Sequence, residues 1–315
     1  MISLFDVFTV KDFAGILYST QNLLFSLNPD VKIYEIAGNH DSFIVYFASG
    51  HAPKPYELRK MSECRIKNNT SDHMILWPQR ELYTLSDEQC CGFLAKKETI
   101  ASDLITLSQM MEQRKKIPKL SGNDIKNYLA VGLNFAKCID AIHSTEKNYV
   151  IGAFDPEEFH IDSEKKIYYF YAYDCGRSNL TLKNYHYLSP ELIHYGQWKL
   201  PFSEDSDSFA FALILFQLLT GHYPFAISTP EHELTQDTVI KYMLDGESIY
   251  YYDNSPQCIR IEHFLSEISP EIAETFRYVF DYCGNENYTA DRPTIKEWIQ
   301  ILKKTLTQSD FMEQG

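Results

Sequence analysis

Residues 187–225 decide the fold of this chain: YLSPELIHYGQWKLPFSEDSDSFAFALILFQLLTGHYPF. The segment 209–219 within them is apolar on nearly every side, which is typical of a helix buried in a large domain or in a membrane. It is too short to span a bilayer, which takes about 20 apolar residues. The sequence therefore predicts a core helix that begins at Ser206 and Asp207 and ends at Gly221, because glycine is the usual C-cap residue.

The composition is that of a chain large enough to bury such a helix. Its 315 residues are 44% hydrophobic and 23% charged, which fits one two-lobed domain or two small ones. The net charge of −14 argues against nucleic acid and against anionic membrane surfaces as partners. The seven cysteines lack metal-ligand spacing, so we expect reduced thiols in a cytoplasmic protein.

Three short motifs follow one another in the opening stretch. They are Ser-Pro-Glu at 189–191, Ser-Asp-Ser-Phe-Ala-Phe at 206–211, and Leu-Leu-Thr-Gly-His-Tyr-Pro-Phe at 218–225. In this order and spacing they resemble the Ala-Pro-Glu turn, the start of the central helix and its exit in eukaryotic-type protein kinases. The resemblance implies an α+β, bilobal protein kinase-like fold, with an antiparallel five-stranded small lobe and a mainly helical large lobe.

The first third of the chain has the pattern of such a small lobe. Strand-like runs at 23–27, 31–36 and 42–47 are separated by turn sequences, and a helical segment at 55–65 precedes two more strands at 73–77 and 90–95. Residues 1–20 are expected to add a helix or a strand. We therefore place an N-terminal extension and small lobe at 1–96, with the sheet itself after residue 20, and the large lobe at 97–315.

The large lobe should contain several helices. Apolar spacing predicts helices at 99–118 and 124–143, and Ser-Pro at 269–270 and Arg-Pro at 292–293 each precede another. Residues 226–265 appear irregular in sequence. Segments 75–78 and 91–94 are also similar to bacterial kinase-like proteins of stress-response gene clusters. In those clusters, von Willebrand A proteins and metal-dependent phosphatases are encoded as neighbours, and the resemblance implies them as partners.

A kinase holds the phosphates of ATP with a glycine-rich loop and a lysine. In one alignment the loop covers 26–31, and the lysine position falls near Tyr46. In the other it covers 38–43, and Lys60 supplies the lysine. The first is favoured because Lys60 lies in a segment with helical spacing. Both alignments lack most or all of the glycines, without which a backbone cannot approach phosphate closely.

Residues 150–161, VIGAFDPEEFHI, resemble the catalytic loop of kinases, and Pro156 fixes their alignment. Ala153 then replaces the catalytic aspartate, and Glu158 replaces the metal-binding asparagine. Alanine can neither accept a proton nor orient a hydroxyl group, and loss of a general base typically costs about 10²–10⁴ in rate. Asp155 could substitute for it, but a carboxylate that stabilises a turn is the favoured interpretation.

The segment 173–176, YDCG, resembles the Asp-Phe-Gly motif and places Asp174 at the metal position. Asp174 and Glu158 could together hold Mg²⁺ through carboxylate oxygens. They could equally repel each other unless a proton or a cation lies between them. The adenine pocket expected beneath 91–95 offers only apolar side chains.

The resemblance also assigns three residues to the scaffold. Glu191 should pair with Arg292, and Asp207 should accept hydrogen bonds from the catalytic-loop backbone. Because these positions match while those of the chemistry do not, the sequence favours a pseudokinase: a binding or regulatory protein, with no cofactor expected, that acts through protein partners. The alternative is a divergent ATP- and Mg²⁺-dependent protein kinase or other phosphotransferase that uses Asp174, Glu158 and Asp155.

Overall fold

The described residues of a computed structural model are 7–48, 52–66, 70–175, 185–195, 201–225, 235–252, 255–281 and 292–312. They form ten strands: β1 (Thr9–Asp12), β2 (Leu17–Asn28), β3 (Val31–Ile36), β4 (Asn39–Phe47), β5 (His73–Ile75), β6 (Pro78–Tyr83), β7 (Cys90–Lys96), β8 (Ile105–Thr106), β9 (Phe159–Ile161) and β10 (Ile167–Tyr169). The first seven precede residue 97, and long helices dominate the remainder. The α+β class predicted from the sequence is confirmed.

Six of these strands close into an antiparallel barrel in the order β1-β2-β3-β4-β7-β6. The prediction of five strands was wrong in its membership. β1 and the early part of β2 come from the segment taken as an extension, and β1 closes the barrel by pairing Lys11 with Tyr83 of β6. Closure removes the exposed edges that an open sheet would present.

The predicted strand at 73–77 lies elsewhere. β5 pairs in parallel with β10, with Ile167 opposite His73, and belongs to a second sheet of order β5-β10-β9-β8. At Trp77 the chain leaves that sheet, and β6 begins at Pro78 in the barrel. Apolar alternation identified a strand here, but it contained no information about which neighbour the strand would pair with.

Alternation along the barrel strands separates two apolar faces. Tyr34, Ile44 and Leu82 lie in one cluster contributed by strands all around the barrel, which is therefore its interior. Phe43 and Val45 lie on the opposite face, against Leu58 and the strands of the second sheet. The barrel thus has a core of its own and a second apolar layer that joins it to the rest of the chain.

The described helices are α1 (Pro55–Ser62), α2 (Leu107–Lys115), α3 (Gly122–His143), α4 (Pro190–Tyr195), α5 (Glu204–Thr220), α6 (Gln236–Asp245), α7 (Pro256–Ile268), α8 (Pro270–Phe280) and α9 (Ile295–Met312). The predicted core helix is α5, which is buried from Ser206 to Thr220. It begins two residues earlier than predicted, because Ser203 forms a capping box with Ser206. It ends at Gly221, whose φ of 77° is the left-handed conformation expected of a C-cap glycine.

Most of the longer helices pack around α5, whereas α1 packs on β6 of the barrel. α2, α3, α7 and α8 contact α5, and α9 packs along α3 with Trp298 and Leu302 buried. The expectation of an irregular segment at 226–265 was wrong, since α6 and most of α7 lie in it. Among the described residues, no helix combines the length and the apolar character needed to cross a membrane.

Candidate functional site

The loop between α3 and β9 is held by the start of α5. Asp207 is buried; one carboxylate oxygen accepts hydrogen bonds from the Ile151 N–H at 2.7 Å and from His143 Nε2 at 2.8 Å, and the other accepts from the Gly152 N–H at 2.9 Å. These are the backbone hydrogen bonds expected of Asp207. They fix the loop immediately before Ala153.

Ala153 and Asp155 follow on this loop. Ala153 presents only a methyl group and is half-buried. The Asp155 carboxylate accepts the Glu157 N–H at 3.0 Å and so caps the short 3-10 turn Pro156–Glu158. Asp155 therefore has the turn-stabilising role that the sequence favoured. Its carboxylate is oriented by the hydrogen bond to the backbone of its own turn.

Asp174 lies near this loop, in the 3-10 turn Ala172–Asp174. Burial raises the pKa of Tyr171 to about 12, and the negative charges of Glu158, Asp155 and Asp174 add to the increase. Gly176, the last residue of the predicted triplet, lies outside the described residues. Within the described part of the chain, no group of three His, Cys, Asp or Glu side chains is arranged to hold a metal ion.

The β2–β3 turn, where the favoured alignment puts the phosphate loop, is bonded to itself. Asn28 Oδ1 accepts the Asp30 N–H at 2.9 Å and the Val31 N–H at 3.0 Å, and Ser26 Oγ donates to the Asn28 carbonyl at 3.1 Å. A phosphate-binding loop needs such N–H groups to point at the ligand. Here the Asn28 side chain takes two of them.

Neither residue proposed for the lysine position places a positive charge in the apolar layer between the barrel and the second sheet. Lys60 is an exposed residue of α1, with its ammonium 5.6 Å from the Tyr56 ring centroid, so the strand position required by the second alignment is wrong. Tyr46 faces the barrel interior. Its neighbour Phe47, like Phe43 and Val45, faces the second sheet. A shift of one residue along a strand exchanges the two faces.

Aromatic side chains make up much of the layer between the barrel and the second sheet. We call Phe25, Phe47, Phe93, Phe170 and Tyr173 the aromatic cluster; all are buried except the half-buried Phe25. The Tyr173 ring centroid lies 4.8 Å from Phe47 and 6.0 Å from Phe93. The centroid of Phe25, on β2, lies 5.2 Å from Phe170. Edge-on and tilted contacts at these distances are the favourable geometries of aromatic pairs.

A hydrogen bond brings the β2–β3 hairpin down onto the same layer. The Tyr171 hydroxyl donates to the Leu27 carbonyl at 3.4 Å, next to the Phe25 contact. The barrel, the hairpin and the segment that leads to Asp174 are therefore packed directly against one another through side chains.

The scaffold pair is also present. Arg292 donates to both carboxylate oxygens of Glu191 at 2.7 and 2.8 Å, and both side chains are buried. The guanidinium also lies 4.7 Å from the ring centroid of Phe209, which orders the pair against α5.

Sequence reasoning missed the aromatic cluster. Its signal was present, because Phe43, Val45 and Phe47 are apolar at alternate positions of one strand and identify a second buried face. Only the packing shows that the rings of Phe93 and Tyr173, far apart in the sequence, meet Phe47 there. The Asn28 turn had a sequence signal too, since asparagine accepts hydrogen bonds from the backbone two and three residues on.

Neither the known protein families nor the curated proteins give a match to the chain.

Proposed function

We propose that this chain is a protein kinase-like protein that does not transfer phosphate and acts as a scaffold or regulatory subunit through protein–protein binding. Two observations support it: the resemblance of the three motifs around α5 to those of protein kinases, and the contacts within the layer between the barrel and the second sheet. Under the kinase-like reading, that layer occupies the place of the nucleotide site.

The single observation that carries the proposal is the aromatic cluster. If the chain follows the kinase arrangement, the lysine position falls near Tyr46 on β4, next to Phe47, and Phe93 belongs to the segment 91–95 expected to form the adenine pocket. The rings of Phe47 and Phe93 are buried against Tyr173. A nucleotide could enter only if these rings moved, and removing a buried phenylalanine from a core typically costs about 3–5 kcal/mol. Such a layer favours a closed, nucleotide-free state.

Two further features support the loss of phosphate chemistry. Ala153 provides no base for the acceptor hydroxyl, and a missing general base typically costs about 10²–10⁴ in rate. Two N–H groups of the β2–β3 turn are bonded to Asn28. Each part that would contact a phosphate is thus replaced or engaged within the chain.

One observation favours a second candidate, a divergent ATP-dependent phosphotransferase. Burial raises the pKa of Tyr171 to about 12 and the negative charges of Glu158, Asp155 and Asp174 each add to the increase, although these residues are not among any group of three that the described part of the chain arranges to hold a metal ion. Carboxylate oxygens are the ligands that Mg²⁺ prefers. This candidate requires the aromatic cluster to open before ATP can reach them.

The expected partners remain those that the resemblance implies, a phosphatase or a von Willebrand A protein of a bacterial stress-response system. The buried layer packs the barrel directly against the second sheet, which suits a scaffold that presents a fixed surface to a partner.

A thermal-shift titration with ATP, with and without Mg²⁺, tests the proposal. The samples are the wild type, Asp174→Asn, and Asp237→Asn as a control at an exposed aspartate of α6. We expect no Mg²⁺-dependent shift in any of them, since a ligand below its dissociation constant adds less than about 0.4 kcal/mol. Phosphate transfer from labelled ATP is measured in parallel, and none is expected.

A Mg²⁺-dependent shift that is present in the wild type and in Asp237→Asn but lost in Asp174→Asn would overturn the nucleotide-free proposal. Phosphate transfer by the wild type that disappears in Asp174→Asn, or in the additional variant Asp155→Ala, would establish the phosphotransferase instead.

A further inference from the structure

The hairpin between β1 and β2 presents large apolar side chains to solvent. Phe13 is 76% exposed, and Ile16 and Leu17 are more than half exposed. The turn is well formed, because the Gly15 N–H donates to the Asp12 carbonyl and the Asp12 N–H donates to the Ile16 carbonyl, both at 3.0 Å. Single exposed apolar residues are ordinary, but three within one ordered turn form a patch of the kind that marks interaction sites.

Two arginines border this patch. The Arg59 guanidinium lies 5.0 Å from the Phe13 ring centroid and donates to Glu81 at 2.7 and 3.0 Å. Arg80 donates to Asp12, next to Phe13 in the chain. The two arginine side chains are 49% and 48% exposed, whereas their carboxylate partners Glu81 and Asp12 are buried. Cations therefore face the solvent here while the balancing negative charges lie beneath them.

A depression lies beside Phe13. Its walls are Lys11, Asp12, Phe13, Gly15, Tyr83 and Glu88, and its volume is about 270 Å³. This is below the range of about 300–1,000 Å³ that is typical of small-molecule pockets. An open depression of this size, walled by two aromatic rings, suits one inserted side chain of a partner protein.

We infer that Phe13, Ile16, Leu17, Arg59 and Arg80, here called the hairpin patch, dock an acidic segment of a partner protein that inserts an aliphatic or aromatic side chain beside Phe13. This names the surface and the partner chemistry of the binding function proposed above. It depends on that function but not on the aromatic cluster.

Charge decides the nature of the partner. The chain carries a net charge of −14, and at this patch the half-exposed side chains of Arg59 and Arg80 face outward above buried carboxylates, while the exposed Glu88 of the depression is paired with Lys11. Carboxylates of a partner would meet Arg59 and Arg80, and arginine forms such interface pairs well because it is weakly hydrated and binds carboxylates through two N–H groups. Arginine and aromatic residues are also the types that dominate binding energy at interfaces.

The same charges argue against two other occupants. A second copy that docked patch to patch would bring like-charged arginines together, since a twofold interface is self-complementary. An anionic membrane would be repelled by the rest of this acidic chain. A partner with an acidic segment meets neither obstacle.

The test selects peptides from a displayed random library on the full chain and then measures the affinity of the enriched peptides by fluorescence anisotropy. Two variants alter the patch at exposed positions, Phe13→Ser and Arg59→Gln. Two controls make the same changes at exposed residues of other elements, Tyr278→Ser on α8 and Arg260→Gln on α7. Circular dichroism and melting temperature confirm that each variant is folded.

We expect the enriched peptides to combine acidic residues with an apolar anchor. Their affinity should fall about tenfold or more in both patch variants, as truncation of an interface hot spot produces. It should be unchanged in the controls, weaker as salt is added, and lost when lysine replaces the acidic residues of the peptide.

Equal affinity for the patch variants and the controls, or enrichment of peptides without acidic residues, would overturn the inference. Self-association in analytical ultracentrifugation that disappears in Phe13→Ser would assign the patch to a second copy, and binding to phosphatidylserine vesicles that disappears there would assign it to a membrane. Either result would also overturn it. Failure here leaves the ATP titration unaffected, so the two proposals can fail separately.

Discussion

Arg292, three residues before α9, holds both oxygens of Glu191 on α4 in a buried, two-pronged ion pair. The residues are separated by 101 positions in the chain, so the pair ties the segment before the last helix to the segment before α5. Its guanidinium also covers the Phe209 ring. The pair is thus a structural link across the helical part of the molecule.

Removal of one member of this pair should destabilise the chain strongly. Glu191→Ala leaves the Arg292 charge buried without its partner, which costs about 3–5 kcal/mol. Glu271→Ala is the matched control, because it removes a carboxylate paired with Lys304 at the surface, where such pairs contribute about 0–1 kcal/mol. Urea unfolding of both variants measures the difference. Similar small losses of unfolding free energy in the two variants would mean that the Glu191–Arg292 pair contributes little to stability.

The same pair should make stability depend on pH in the acid range. Burial alone would raise the pKa of Glu191, but the hydrogen bonds and the charge of Arg292 bring it below the ordinary glutamate value. The stabilisation is therefore complete above that ordinary value and is lost as the pH falls through the lower folded-state pKa.

This prediction is checked with Glu191→Gln, which cannot ionise. The free energy of unfolding of the wild type should exceed that of the variant at neutral pH, and the difference should shrink as the carboxylate is protonated. A difference that stays constant from neutral to acid pH would contradict the assigned cause.

Asp207→Asn should loosen the loop that carries Ala153. The carboxylate accepts three hydrogen bonds, whereas the amide turns an NH₂ group towards a donor. A buried donor without a partner costs about 1–3 kcal/mol, so we expect at least that loss of stability. Asp205→Asn, at an exposed aspartate in the first turn of α5, is the control and should cost less than about 1 kcal/mol.

Hydrogen exchange locates the effect of Asp207→Asn. The amide hydrogens of Ile151 and Gly152 should exchange faster than in the wild type, while those in the middle of α5 keep their protection. Unchanged protection of these two amides would show that Asp207 does not hold the loop.

Phe47→Ala should show how much the aromatic cluster contributes to the stability of the fold. The variant removes a buried ring in contact with Phe93 and Tyr173, and such truncations typically cost about 3–5 kcal/mol. Phe13→Ala removes an exposed ring and should stay within about 0.5 kcal/mol. The comparison is made by chemical denaturation, and equal effects would mean that the layer at Phe47 is loosely packed.

The sequence alone determined the elements whose signals are local. α5 could be predicted because its apolar run has no polar face and ends at a glycine, and α8 because Ser269 and Pro270 form a helix N-terminus. The roles of Glu191, Arg292 and Asp207 came from motif resemblance, and their contacts follow that expectation. The role of Asp155 came from turn chemistry, which acts within a few residues.

Tertiary structure decided everything that depends on distant pairing. The apolar pattern of β5 could not show that it would pair with β10 rather than join the barrel, because a strand's alternation defines its two faces and not its neighbours. It also could not decide whether Tyr46 or Phe47 would face the second sheet, since register is fixed only when the strands pair. The aromatic cluster and the hairpin patch exist for the same physical reason: each joins side chains from separate segments that only the folded chain brings together.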